Sequence, residues 1–370
     1  MTATRSTTTT LRQLVARLDN VGDVLLAGPA VRAVARRGPV TFLASSAGAA
    51  AASMLPGVAE VLTFDAPWVA FDPPPVSRCE LDRLRDAIEE RRIDEAMVLT
   101  SHHQSPLPLA LLLREAGVGR IAATCIDYPG ALLDVRGRYL PELHEVEQSL
   151  HLCREAGVEP EPDDRGALEV LLGPRRTTLP DEPYVVVHPG ASVSSRGLPL
   201  EPIADVIGRL AALGVRVVVT GSGDETELVA RLLDGIDLDA SAAAVTCSVG
   251  ALDLEQFAHL LSGAAVLVSG NTGPVHLAAA VGTPVVEAFA PVVPAHRWRP
   301  WKVPHVLLGH LDATCPSACS RGCTVESQPC LEPFSPDAVI AAVTRLALGS
   351  IPQPVPLPVP ATRTPEEVDA

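Results

Sequence analysis

Aromatic residues are scarce in this sequence: Phe, Tyr and Trp together occupy 3% of its 370 positions. A core must therefore be built from Ala, Val and Leu. Positive charge is scarce as well. Lys and Arg number 29 against 44 acidic residues, a formal net charge of −15. That balance argues against a nucleic-acid partner, because phosphate backbones need a basic face. Any anionic ligand must be held by local devices such as helix N-termini and one or two cations. No apolar run approaches the roughly 18–20 residues that span a bilayer, and the opening MTATRSTTTTLRQ lacks an apolar signal region. A cytoplasmic protein is the expectation, with peripheral membrane contact left open by a lipid-linked acceptor. Without an export signal, disulfides are a poor first reading of the eight cysteines. Cys79, Cys125, Cys153 and Cys247 are scattered and read as small buried hydrophobes. Cys315, Cys319, Cys323 and Cys330 are clustered, and fit either a structural zinc site of four thiolates or a set of reduced thiols.

What is present is globular. Hydrophobic residues make up 47% and charged residues 20%, and the length suits two domains better than one. From Leu11 a short apolar run, a turn and a helical run recur. Strands are predicted at Gln13–Leu18, Val40–Leu43, Val58–Phe64, Glu95–Thr100 and Ile121–Ile126, with helices at Val24–Arg36, Cys79–Arg92, Leu107–Ala116 and Glu145–Ala156. A second series starts at Tyr184–His188 and runs through a Val-rich strand at Val215–Thr220 to Pro284–Phe289. Two such series imply two doubly wound parallel sheets, an α/β chain whose ligands meet the carboxyl ends of the strands. Residues 1–160 form the first domain, 161–183 the connection and 184–348 the second domain. Residues 349–370 are expected to be a Pro-rich tail without fixed structure. Residues 1–10 are expected to fray.

Four loops carry chemistry. In Asp19-Asn20-Val21-Gly22-Asp23, Gly22 permits a tight turn. Asp23 is then either the helix N-cap or a general base facing a cleft, and these readings compete. The segment from His188 to Pro199 offers small residues, Ser192 and one cation, Arg196, to an anion. The turn Thr220-Gly221-Ser222-Gly223-Asp224-Glu225 lacks the third glycine of a dinucleotide fingerprint, which sets aside a nicotinamide enzyme. In Ser269-Gly270-Asn271-Thr272-Gly273-Pro274-Val275-His276, glycines let the backbone approach a ligand, and Pro274 opens a helix. Its free N–H groups would receive a diphosphate, helped by the Thr272 hydroxyl and by His276 one turn on. His102 and His103 follow a strand end and could touch an acceptor. Trp298 and Trp301 could line the cleft or simply anchor a loop.

These loops together resemble glycosyltransferase family 9, the group of ADP-heptose heptosyltransferases. The matching pieces are Leu18–Leu26 with Pro29, His188-Pro189-Gly190-Ala191, Gly221–Glu225 and Asn271–Ala278, in family order. The resemblance implies a GT-B fold with acceptor on the first domain and donor on the second. It implies metal-free inverting transfer from a nucleotide-diphosphate sugar, most readily ADP-heptose, to a glycan, glycolipid or small-molecule hydroxyl, with no cofactor required. It assigns the base to Asp23, with Gly22 beside the acceptor. Arg196 falls on a donor-phosphate position, Glu225 near the ribose, and Thr272, Gly273 and His276 on the phosphate segment. Asn271 stands where lipopolysaccharide enzymes often carry Asp, a departure at a donor-sugar contact. An epimerase or hydrolase of the same architecture, and a non-catalytic nucleotide-sugar binder, are the rival readings.

Overall fold

A computed structural model of the chain describes residues 11–70, 73–101, 103–176, 178–236, 244–314, 323 and 328–347. The expected frayed start and Pro-rich tail, His102, Cys315 and Cys319 lie outside the described residues.

Two six-stranded parallel sheets carry the fold. The first comprises β1 (Gln13–Arg17), β2 (Val40–Ala44), β3 (Val58–Thr63), β4 (Glu95–Val98), β5 (Arg120–Thr124) and β6 (Val135–Gly137), in the order β3-β2-β1-β4-β5-β6. The second comprises β7 (Tyr184–His188), β8 (Arg216–Gly221), β9 (Val245–Val249), β10 (Val266–Gly270), β11 (Val285–Ala288) and β12 (His305–Leu308), in the order β12-β11-β10-β7-β8-β9. The two halves thus share one topology. In each, strand order reverses beside the first strand, where a doubly wound sheet opens a crevice at its strand ends. That crevice lies between β1 and β4 in one half and between β7 and β10 in the other.

Helices cover both sheets: α1 (Val21–Leu26), α2 (Gly28–Ala35), α3 (Ala49–Ser53), α4 (Arg78–Arg91), α5 (Leu107–Glu115) and α6 (Glu145–Glu155) in the first half; α7 (Leu200–Ala212), α8 (Thr226–Asp234), α9 (Leu254–Ser262), α10 (Gly273–Ala280), α11 (Ala295–Trp298) and α12 (Pro336–Leu346) in the second. The central strands are buried on both faces, so they read as continuous Val and Leu runs rather than alternating ones. One apolar cluster includes Val15 and Phe42 of the first sheet together with Val186 and Leu267 of the second, and so joins the halves.

Several expectations need correction. The helix predicted at Val24–Arg36 is two helices, and the first starts three residues earlier. Pro29 has no N–H for a continuous helix, and it sits instead in the first turn of α2. The three-residue β6 and the half-buried edge strand β12 are too short or too mixed to show periodicity. Cys125 and Cys153 are buried as expected, whereas Cys79, in the first turn of α4, and Cys247, on the edge strand β9, face solvent.

Candidate active site between the two sheets

The first wall begins where β1 ends. Arg17 is its last residue, and the chain then turns through Asn20 into α1. Asn20 occupies the N-cap position with no side-chain cap, and Asp23 is the third helical residue. Asp23 is therefore not the N-cap. Its Oδ1 accepts a hydrogen bond from Arg17 Nη2 at 2.7 Å.

Arg17 itself is the centre of a buried ionic cluster that the sequence reading missed. Its Nη2 also donates to Ser101 Oγ at 2.8 Å. Its Nε lies 2.6 Å from Asp19 Oδ2, and its Nη1 lies 3.6 Å from Glu145 Oε2. Glu145 is in turn held by Arg297 at 2.5 Å. Burial opposes the charge on Arg17, yet the three carboxylates outweigh it and hold its pKa above the ordinary value. Burial pushes the Asp19 carboxyl up, against the pull of Arg17. Among the three carboxylates, side-chain exposure is 24% for Asp23, 10% for Asp19 and 3% for Glu145. Solvent therefore reaches Asp23 best. The available signal was an arginine closing an otherwise apolar strand, which only a buried acidic partner tolerates.

The second wall is the start of α10. Thr272 is the N-cap in extended conformation with no side-chain cap, and Pro274 lies in the first turn. Pro274 has no N–H and the Val275 N–H reaches the Thr272 carbonyl at 3.1 Å, which leaves the Gly273 N–H at the positive end of the helix dipole. A cavity of about 350 Å³ opens there. Asn20, Val21 and Gly22 border it from the first half, and Thr272, Gly273 and Pro274 face them. Ser192, Gly221 and Glu225 complete its polar side, while Leu254 and Phe257 give it an apolar end. Its described lining has acidic groups but no Lys or Arg, so an anion there meets backbone donors and hydroxyls.

Of the residues singled out in the sequence, Gly22, Ser192, Gly221, Glu225, Thr272 and Gly273 therefore share this cavity. Asp23, His103, Arg196, Asn271 and His276 are not in its lining. Gly22 is not a turn residue. A Cβ there would lie 2.8 Å from His276 Cδ2 and 3.3 Å from Gly273 Cα, so its missing side chain is what lets α1 and α10 meet. His276 faces α1, is buried, and has an Nδ1 without a hydrogen-bond partner. Burial lowers its pKa to about 4. Burial thus favours the neutral imidazole, and the ring lies outside the cavity lining. Asn271 is buried just behind the α10 start, and its Nδ2 lacks a partner.

Glu225 accepts the Ser222 N–H at 2.7 Å, which closes its turn. Its Oε1 occupies the space beside Gly190, where a Cβ would be 1.9 Å away. His188 lies 3.6 Å from Glu225, and its Nδ1 meets Thr220 Oγ1 at 3.1 Å. Trp301 stacks on His144 at 4.2 Å, and its Nε1–H donates to the Gly166 carbonyl at 2.7 Å. Trp298 lies against the Arg297 guanidinium. Both indoles are anchors between the halves. Among the described residues no group of three or more His, Cys, Asp or Glu side chains is arranged to hold a metal ion, and no helix is long and apolar enough to cross a membrane.

Two doubly wound sheets sharing a polar cavity at their strand ends define a protein of the GT-B type, the architecture of nucleotide-sugar glycosyltransferases. Residues 82–328 match the model of glycosyltransferase family 9 (heptosyltransferase), and the chain belongs to that family. It is 27% identical over 350 residues to a Haemophilus influenzae protein provisionally named a glycosyltransferase, covering 90% of this chain and 95% of that one. Among solved structures, it resembles a family 9 glycosyl transferase from Veillonella parvula with a TM-score of 0.75 and 17% identity, covering 92% of this chain and 98% of the other. It also resembles the ADP-heptose lps heptosyltransferase II of Escherichia coli, with a TM-score of 0.69, 20% identity and coverage of 91% and 99%. At these identities the structural likeness speaks for the fold.

Proposed function

We propose that this protein is an inverting, metal-independent transferase that moves a heptose from ADP-heptose to an acceptor hydroxyl, in a cytoplasmic setting. One observation carries the reading: the uncapped start of α10 opens into a cavity whose opposite wall is the α1 turn bearing Asp23. The second domain, 184–348, takes the donor. The diphosphate rests on the Gly273 end of α10 and the Thr272 and Ser192 hydroxyls. Gly221 and Glu225 face the ribose, and Arg196 supplies a cation from the same loop as Ser192. Asn271 and His276, each with a buried polar nitrogen to spare, support the sugar and phosphate from behind. The first domain, 1–160, takes the acceptor beside Gly22 and His103.

Charge dictates the rest. As the bond to the anomeric carbon breaks, negative charge gathers on the departing diphosphate and is met by fixed N–H dipoles that need no reorganisation. Asp23 accepts the proton of the attacking hydroxyl on the other side, which strengthens the nucleophile as the new bond forms.

The test begins with thermal unfolding in the presence of ADP-, GDP-, UDP- and dTDP-linked sugars, since a ligand that binds the native state raises its apparent stability. ADP-heptose is expected to give the largest rise. ADP release is then followed with glycan and glycolipid acceptors. Consumption of donor with no acceptor present identifies an epimerase or hydrolase, and binding without turnover identifies a silent binder; either result overturns the proposal.

A further inference from the structure

We propose that Arg17 is the positioning residue of the transfer, gripping one oxygen of Asp23 so that the other faces the incoming hydroxyl. The inference rests on the reading of Asp23 as the base. Asp23 Oδ1 is committed to Arg17 Nη2 at 2.7 Å. Its Oδ2 makes no hydrogen bond among the described residues, and the side chain is 24% exposed. A carboxylate partly open to solvent would otherwise sample several rotamers. Here the planar guanidinium fixes its orientation, because the two hydrogens of Nη2 engage Asp23 Oδ1 and Ser101 Oγ together.

Arg17 cannot drift either. Asp19 holds its Nε edge at 2.6 Å, and Glu145 stands 3.6 Å from Nη1. Glu145 is pinned by Arg297, which also donates to the carbonyls of Leu140 and Pro141 at 3.0 and 3.1 Å. Arg297 follows β11, so the half that forms the donor wall helps to hold the base of the other half. The ionic count supports the same assignment. Two guanidiniums, Arg17 and Arg297, face three carboxylates, Asp19, Asp23 and Glu145. The surplus negative charge settles best on Asp23, which water reaches, and a proton-accepting oxygen is thereby kept at the cleft.

The experiment is a double-mutant cycle on the whole protein, read as ADP release from ADP-heptose with the glycan that supports the fastest transfer. Arg17→Lys keeps the buried charge but not the planar guanidinium. Its kcat is expected to fall about 100-fold, the loss that a misplaced catalytic group produces, with donor KM and the thermal shift given by ADP unchanged. In the Arg17→Lys/Asp23→Asn double variant, the rate should be no lower than in Asp23→Asn alone, because both changes act on one group. Should Arg17→Lys unfold the chain, Arg17→Met with Asp19→Asn removes the cation and one carboxylate together, and the same comparison is made. Full kcat in the folded Arg17 variants, or losses that multiply in the double variant, overturns the positioning role while leaving Asp23 in place. A normal rate for Asp23→Asn alone instead removes the base, and with it the foundation of both proposals.

Discussion

Gly22 and His276 touch across the gap between the halves: a methyl group at Gly22 would sit 2.8 Å from the His276 ring. Gly273 is part of the same contact, since a Cβ there would be 3.5 Å from the Gly22 nitrogen. The distance between the α1 turn and the α10 start is therefore set by an absent side chain. Gly22→Ala is expected to force these helices apart and to cost about 1–3 kcal/mol, the usual range for overpacking a tight contact. Denaturant unfolding measures that loss, and the thermal shift given by ADP should shrink with it, because the cavity walls have moved. An unchanged midpoint together with an unchanged ADP shift contradicts this account.

The sequence made this cavity legible in part, and the reason divides by residue. Thr272, Gly273 and Glu225 could be read because a strand, a Gly turn and a helix start follow one another locally. The Val-rich run at Val217–Val219 showed a buried parallel strand for the same reason. Arg17 and Glu145 could not be read, since their meaning lies in a contact between positions 128 residues apart. The same holds for Gly22, which looks like a turn glycine until the α10 helix is placed against it. Arg196 and Asn271 were legible as polar residues of the loops after β7 and β10, yet their side chains do not line the described cavity.

His144 provides a pH test. Its Nδ1 accepts the Val146 N–H at 3.2 Å as part of the α6 cap, which leaves Nε2–H to donate to the Arg299 carbonyl at 3.0 Å. The neutral ring satisfies both partners, and protonation of Nδ1 would break the cap. Burial lowers its pKa to about 3, well below the unfolded value near 6.5. A depressed folded pKa means that the contribution of His144 is complete above pH 6.5 and is lost as pH falls towards 3. His144→Asn retains a capping acceptor without a titrating ring. Its Tm should decline less steeply than that of the wild type between pH 6.5 and 4, and parallel curves would exclude His144 as a source of acid lability.

Activity should survive excess chelator. The diphosphate is assigned to backbone N–H groups at the α10 start and to the Thr272 hydroxyl, and these need no bridging cation. The measurement is acceptor-dependent ADP release before and after prolonged treatment with EDTA, with elemental analysis alongside. A strict requirement for added Mg²⁺ or Mn²⁺ contradicts the proposed mechanism. Loss of stability without loss of the initial rate would instead point to a structural ion, such as one held by the Cys315–Cys330 segment.

Glu287 runs the opposite way from His144. It lies in β11 beside Ser269 of β10 and Leu307 of β12, fully buried, and neither carboxyl oxygen has a hydrogen-bond partner. Burial alone raises its pKa well above the usual carboxylate value, because a charge there would have neither water nor a cation. The protonated acid is the form the fold accepts. For a carboxyl with a raised folded pKa, stability is fully present below the unfolded pKa near 4.5 and is lost as pH rises towards the folded value. Glu287→Gln keeps the shape and removes the ionisation. The variant's Tm should therefore exceed that of the wild type by a margin that widens from pH 5 to pH 8. A margin that stays constant over this range would mean that Glu287 finds a compensating partner when ionised.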